Sequence, residues 1–583
     1  MAETLISPGV LQRENDISFI QPAPVEAGAA FIGPAVKGPV EDPTLVRSYG
    51  EYQRVFGTTF VSGSTTQEYL TSLAVKNYFA QGGTSALITR VVHGSFSAAE
   101  STDIASIDAG GDGLGVPFVL ATLGRGEIYN NSTAANDPGA TNTDGSLVSG
   151  SADNLRYEIS NVNTSNGTFS LIIRRGDDNT KNKVILESFS KLSLDPNSDD
   201  YIAKRIGNQY NSKVSNADGT YIQSYGEYPN KSSYIRVASV ALQTVNYLAN
   251  DGIAINADAN GIEYSNYLPV AAVGSFYGAT GALINGGDTY FKNIGATTQG
   301  LVAADYNDAI TLLENNDEYQ FNIISAPGLI RAEHSSQVDA IVSLAETRGD
   351  CIAVVDLEAH GVVIDDVTTE AAGINSSYAA AYWPWVQLGS ATGRNEWCPA
   401  GTVIPGVYAF TDGASAPWYA PAGLVRGGIP TVLQAERKLT RTQRDTLYSN
   451  NVNPIATFPG QGISAFGQKT LQKKASALDR VNVRRLMIEL KKFIGAQAKN
   501  LVFEQNTVAT RNKFLAAVNP YMESVVQRQG LYAYRVIMDD TNNSADVVDR
   551  NQLVGQIYIQ PAKTVEFIVL DFVIEPTGAT FNA

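Results

Sequence analysis

The stretch between residues 303 and 358 limits the fold more than any other part of this 583-residue chain. Within it "DYNDAITLLENN", "FNIIS", "SSQVDAIVSLAE" and "CIAVVDLE" alternate between helical and strand periodicity. Val338, Ile341, Val342 and Ala345 recur at the three- and four-residue spacing of one helix face, behind Ser336 and Asp339 as a capping pair. "FNIIS" and "CIAVVDLE" are short apolar runs of the kind that form buried strands. Strand, helix and strand in that order make a βαβ unit, whose strands lie parallel because no tight turn can join them. The expected class is α/β and multidomain, with three or four compact units at about 100 to 200 residues each.

The flanks differ in character. Residues 1–20 are short extended pieces around Pro8 and Gly9, too few to bury anything, and read as an arm. Residues 21–100 become compact: "GAAFIGPAVKGPV" reads as a strand and turn, and "TSLAVKNYFAQGG" as a helix stopped by glycine. Residues 101–300 are rich in Asn, Thr, Ser, Gly and Asp, most of all at 130–154, but "LRYEIS" and "TFSLIIRR" alternate with period 2. This is expected to be a β-rich insertion on the surface, followed by the α/β unit at 301–452. A C-terminal unit is expected at 453–560, with a strand-like arm at 561–583. Pro520 should split two helical pieces there, and "LYAYRVIMD", "LVGQIYIQP" and "TVEFIVLDFVIEP" look like strands.

Charge is sparse and uneven. Charged residues are 17% of the chain and the formal charge is −16, which argues against a nucleic-acid partner, since that needs a basic footprint. Residues 431–500 nevertheless hold 13 Lys or Arg against 4 Asp or Glu, a local +9 that leaves −25 for the rest. In "DRVNVRRLMIELKKFIGAQAKN", Val483, Leu486, Leu490, Phe493 and Ile494 fall on one side of a helix. Arg485, Lys492 and Lys499 repeat every seven residues on another side, and Arg484 and Lys491 reinforce that stripe as a docking surface for an acidic partner. Cys351 and Cys398 are too few for a disulfide framework. With no N-terminal basic and apolar signal and no run of about 18 apolar residues, a cytoplasmic protein without membrane insertion is expected.

Three patterns invite a chemical reading. In "GQGISAFGQKTLQKK" Gly462 and Gly467 have phosphate-loop spacing, but Gln468 displaces Lys469 and Thr470 by one residue. The preceding "NNVNPIATFPG", with two prolines, lacks the strand such a loop must follow. Asp356, Glu358 and His360, with Asp365 and Asp366 beyond, sit where an α/β unit places ligand sites. No "GxSxG" or "HExxH" accompanies them, so they read as polar residues that finish a strand, and an α/β hydrolase is the runner-up. "RGD" at residues 348–350 reads as a helix-to-strand connection, and "YAAAYWPWV" at 378–386 as core or subunit contact. No catalytic, cofactor or metal residues are assigned.

Several segments together resemble the tail sheath proteins of contractile-tailed bacteriophages: "SPGV" at 7–10, "GPAVKGPVEDPTLVRSYGEYQRVFG" at 33–57 and "FNIISAPG" at 321–328. "RGDCIAVVD", "SSYAAAYWPWV", "FGQKTL", "VNVRRLMIEL", "FEQN" and "IQPAKTVEFIVLDFVI" follow in the family's order, and only residues 100–300 carry no shared motif. The resemblance implies a non-enzymatic subunit that polymerises helically around a tail tube and contracts, in a virion tail assembled in the host cytoplasm or in a domesticated tail-like particle. It implies a subtilisin-like, non-catalytic middle unit, an α+β inner domain built from N- and C-terminal segments, and an outer insertion. The implied partners are other copies, the tube, the baseplate and the tail terminator, and no cofactor is implied. Strands exchanged between subunits would include Leu5, Ile6 and Val10 at one end and Val565, Phe567 and Val569 at the other, and the stripe of Arg484, Arg485, Lys491, Lys492 and Lys499 would face the tube. Brief proteolysis of assembled particles should cut first within residues 130–154, where polar composition leaves little to bury. Peptide mapping checks this, and protection of that segment in particles but not in free subunits would place it at an interface instead.

Overall fold

The computed structural model describes residues 25–62, 65–107, 114–130, 141–216, 219–283 and 294–566. Its body is built on an eight-stranded sheet. Strands β1 (Val25–Gly33) and β2 (Thr44–Val46) precede helix α1 (Leu70–Ala80) and strand β3 (Ala86–Arg90). After the insertion come β4 (Tyr319–Ile330), helix α2 (Ser335–Arg348), β5 (Ile352–Asp356) and β6 (Ala379–Trp383). Helix α3 (Ile404–Ala414) leads to β7 (Val452–Phe458) and β8 (Gly462–Ala465). The spatial order is β2-β3-β1-β4-β5-β6-β7-β8. The six strands from β3 to β7 are parallel, and β2 and β8 close the edges antiparallel.

Alternation along these strands feeds two cores. Phe31, Ile323, Val354 and Tyr382 pack on the side of α1 and α3, and Ile32, Ile324, Val355 and Ala381 on the side of α2. The βαβ unit read at residues 303–358 is thus present, with Val338, Ile341, Val342 and Ala345 buried. The glycines of β1 have a steric cause. A Cβ at Gly28 would stand 2.1 Å from the Tyr78 hydroxyl, and one at Gly33 would stand 2.3 Å from Thr71 Oγ1, so α1 lies directly on the strand. Cys351 and Cys398 are free and buried, and burial pushes the Cys351 thiol up to about 12 and that of Cys398 well above its usual range.

Several expectations need correction. The first described strand does not join an inner α+β domain: β1 pairs with β4 from Val25↔Tyr319 to Phe31↔Ser325 and so lies in the middle sheet. Periodicity identifies a strand but not its partner 290-odd residues away. The 453 boundary cuts through β7, since "VNPIATF" is a strand after all; the Pro454 carbonyl accepts from the Phe466 amide (2.8 Å) while the ring lies in register with Trp383. The 300 boundary also moves, because Thr298 donates to the Gly328 carbonyl and Gln299 bridges the Leu70 amide and the Pro327 carbonyl, both within the body. His334, not Ser336, is the N-cap residue of α2, and Asp339 pairs with Arg331 (3.1 Å) instead of capping. Pro520 sits inside one continuous helix, α5 (Val508–Gln527).

The insertion has its own core around Phe118, Phe169, Leu171 and Leu192. "LRYEIS" and "TFSLIIRR" belong to adjacent antiparallel strands, Leu155–Asn163 and Thr168–Arg175. It is fixed to the body by Arg90, the last residue of β3, which is fully buried. Its guanidinium donates to the carbonyls of Ala35 (3.1 Å) and Gly38 (2.8 Å) in the body and of Arg125 (2.8 Å) in the insertion. These partners are carbonyls, and burial lowers the Arg90 pKa to about 10, still charged at neutral pH. Arg90→Met would leave four carbonyls without this donor, that of Val36 (3.5 Å) being the most distant, at about 1 kcal/mol for each of the three shorter bonds. The variant is expected to be less stable by about 3 kcal/mol, and chemical denaturation checks it; an unchanged midpoint would show that the carbonyls find other donors.

Candidate assembly surfaces

The C-terminal unit is α+β. Helix α4 (Val481–Lys499) and α5 pack on a hairpin of β9 (Leu531–Ile537) and β10 (Gln556–Pro561). Leu486, Leu490, Phe514, Val518, Met522 and Leu531 form its core, and Phe493 stacks on Tyr521 at 3.7 Å. Val481 and Ile488 of α4 are buried in the body instead, so this helix is covered on two sides. That second side carries the basic stripe.

Arg484 and Arg485 are only 5% and 4% exposed. Arg484 lies 3.9 Å from the Tyr378 ring centroid and donates to the Ser377 hydroxyl, and burial lowers its pKa. Arg485 pairs with Asp412 at 2.5 Å and lies over Tyr408. Lys491 donates to the Tyr378 hydroxyl (3.0 Å), and Lys492 to the Phe321 carbonyl (3.3 Å) and Asn322. Lys499 meets Asp317 (2.8 Å) with both side chains largely exposed. The contacts run from the start of β6 to the start of β4, so α4 crosses the amino ends of the parallel strands. Sequence spacing found the stripe; it could not show that these cations mostly serve a seam inside the chain.

Of the arm residues, Leu5, Ile6, Val10, Phe567 and Val569 lie outside the described residues, and Val565 is 80% exposed. The next residue is held firmly. Glu566 accepts from Arg480 Nε (2.7 Å), the Tyr448 hydroxyl (2.9 Å) and Gln468 Nε2 (3.1 Å). Gln468, which spoiled the phosphate-loop spacing, therefore has a structural role, and Lys469 donates to the Tyr448 carbonyl (2.7 Å). Beside this root is a groove of about 1000 Å³ between the C-terminal unit and the body. β9 and β10 pair only with each other among the described residues, which leaves both outer edges of the hairpin without a strand partner there.

The acidic cluster behaves as a strand end. Asp356 is buried, its Oδ1 accepts from the Gly401 amide (2.8 Å), and a Cβ at Gly401 would meet its Oδ2 at 2.5 Å. The Glu358 carbonyl accepts from the Trp385 indole, and His360 lies against Trp385 and Trp397. Among the described residues no group of three or more His, Cys, Asp and Glu is placed to hold a metal. Arg348 of "RGD" is buried and donates to the Leu313 and Tyr319 carbonyls, and Gly349 ends α2 at φ +67°. Trp383 and Trp385 are core residues.

Residues 299–471 match the phage tail sheath protein central domain and residues 473–575 the phage tail sheath C-terminal domain. The chain thus matches two phage tail sheath domains in tandem, and the two matches together cover just under half of its residues. Over 306 residues it is 35% identical to the tail sheath protein of Vibrio phage KVP40, a match covering 48% of this chain and 46% of the relative. Over 260 residues it is 36% identical to the tail sheath protein of Enterobacteria phage T4, covering 42% and 40%. The matches span less than half the length of these relatives. The fold is like that of a sheath tail protein from Listeria innocua, with a TM-score of 0.50 at 9% identity over 92% of this chain and 96% of that one.

Burial raises the Asp356 pKa from 3.8 to about 7, opposed by the Gly401 hydrogen bond. A carboxyl raised on folding contributes stability fully below pH about 4, where both states are protonated, and loses it as pH rises through about 7, a span of up to roughly 4 kcal/mol. Asp356→Asn keeps an acceptor for Gly401 without this penalty. The melting temperature of the variant relative to the parent chain is therefore expected to rise between pH 5 and pH 8, and parallel profiles would show that Asp356 ionises freely.

Proposed function

We propose that this chain is the structural subunit of a contractile tail sheath, which polymerises helically around a tail tube and contracts to drive the tube through a cell envelope. The observation that carries the reading is the tandem of sheath domains over residues 299–471 and 473–575. Docked along the α4 seam, they give a stiff building block. In this reading no chemical fuel is used: the extended lattice is a kinetically trapped state released when a baseplate changes shape. The other partners are further copies of the chain, the tube and a tail terminator. The setting is a virion tail assembled in the host cytoplasm, or a tail-like particle of the same construction.

The unpaired outer edges of the β9–β10 hairpin support strand exchange, because edge N–H and C=O groups suit an added strand from a neighbour. Residues 1–20 and the segment after Glu566 are the proposed donors, with Glu566 fixing where the second one starts. Tube docking by the basic stripe rests in this reading on what α4 leaves exposed, chiefly Lys499. The insertion takes the outer surface, and the body is a subtilisin-like layer without catalytic duty.

Negative-stain electron microscopy of the concentrated protein should show hollow striated tubes, whereas dispersed monomers would count against the proposal. A chain lacking residues 1–20 should stay folded and soluble but form no tubes. Ordinary sheaths from that truncation would move the burden of assembly to contacts between bodies.

A further inference from the structure

The loop between α4 and α5 presents an apolar knob that no other described residue covers. Phe503 is fully exposed, and Val502 and Val508 beside it are each 60% exposed. Phe503 adopts φ +71°, a left-handed conformation that is uncommon for a bulky side chain and marks a site held by its surroundings. The loop is pinned on both sides of the ring. Leu501 is buried in the C-terminal core, and Asn506 donates to the Gln552 carbonyl (2.8 Å) and accepts from Arg511 (2.9 Å). An exposed aromatic on a fixed support loses little freedom on binding, as contact hot spots require.

The complementary feature is at the other end of α5. The groove of about 1000 Å³ is lined there by Val526 and Tyr532, and across from them by Trp418, Tyr419 and Phe466. Phe466 is 43% and Tyr532 66% exposed, so the groove offers aromatic surface to an incoming ring. It also holds Arg426, Arg441 and Arg444, none of which has a carboxylate partner within 4 Å among the described residues. Beside Phe503 stands exposed Glu504, likewise without an ion-pair partner among them. A 20-residue helix separates knob and groove by about 30 Å.

We propose that the Val502–Phe503–Glu504 knob of one copy inserts into this groove of a second copy, with Phe503 against the groove aromatics and Glu504 toward its arginines. Knob and groove lie at opposite ends of one helix, so each copy offers both halves of the contact. Such a contact is heterologous and propagates into an open array when its rotation does not close. The proposal rests on the sheath reading and names a body-to-body contact in addition to exchanged strands.

The test uses the full chain with Phe503→Asp, and with a photo-crosslinking phenylalanine analogue at position 503. Losing one buried aromatic anchor should raise the critical concentration for polymerisation about tenfold or more, while far-UV circular dichroism and the melting temperature of the free subunit stay unchanged. In polymers of the crosslinking variant, the expected adducts join position 503 to residues 418–426, 441–448 or 526–532 of another copy. Phe503→Asp polymers forming at the parental concentration overturn the proposal. So do adducts confined to a tube protein, adducts elsewhere on the chain, or intact polymers without adducts. If the parent chain forms no polymers at all, it is the sheath reading that fails.

Discussion

The parallel pairing of β1 with β4 is the constraint around which the molecule is arranged. It places residues from the start of the described chain beside residues nearly three hundred positions later, at the centre of the sheet. Everything between must leave the sheet after β3 and return on the far side of β1. A long excursion is tolerable because closure entropy grows only slowly with loop length, and the insertion folds on its own core around Phe118 and Phe169. Arg90 then stands at the departure point, where carbonyls of both parts converge on one guanidinium. The insertion is thereby fixed in place, and none of its described residues forms a strand of the sheet.

The two ends of the parallel strands have different duties. At the carboxyl ends, where α/β proteins commonly keep ligands, Asp356 closes against Gly401 and the space is filled by Trp385 and its neighbours. At the amino ends α4 lies across the sheet, and its cations meet tyrosine rings, carbonyls and carboxylates of the body. Buried guanidiniums need several partners in fixed positions, so this seam specifies one relative placement of the body and the C-terminal unit. In the proposed sheath, rearrangement of a lattice built from such blocks would fall to contacts between copies.

Legibility in the sequence followed the range of the interactions. The helix face of Val338, Ile341, Val342 and Ala345 and the alternating strands "LRYEIS" and "TFSLIIRR" were readable because burial imposes a period on neighbouring residues. The tail sheath resemblance was readable from motif order, and the domain matches carry it over residues 299–575. What failed depended on partners. Pro454 and Pro520 signal breaks locally, but the strand and helix around them are held by neighbours that no local pattern reveals. Arg484 and Arg485 have the spacing of a solvent-facing stripe, and only the adjacent Tyr378, Ser377 and Asp412 turn them inward. The knob at Phe503 had no periodic signal: "FEQN" stood out only as a segment of the family resemblance, which says nothing of its exposure.

Both thiols of the chain, Cys351 and Cys398, are buried and held protonated by their apolar surroundings. A cysteine placed at any exposed position would therefore be the sole rapidly alkylated group on each subunit, with no need to remove the native ones and disturb β5. If the chain assembles as proposed, fluorophore pairs attached in this way would turn the particle into its own ruler, reporting subunit spacing in real time as a lattice shortens.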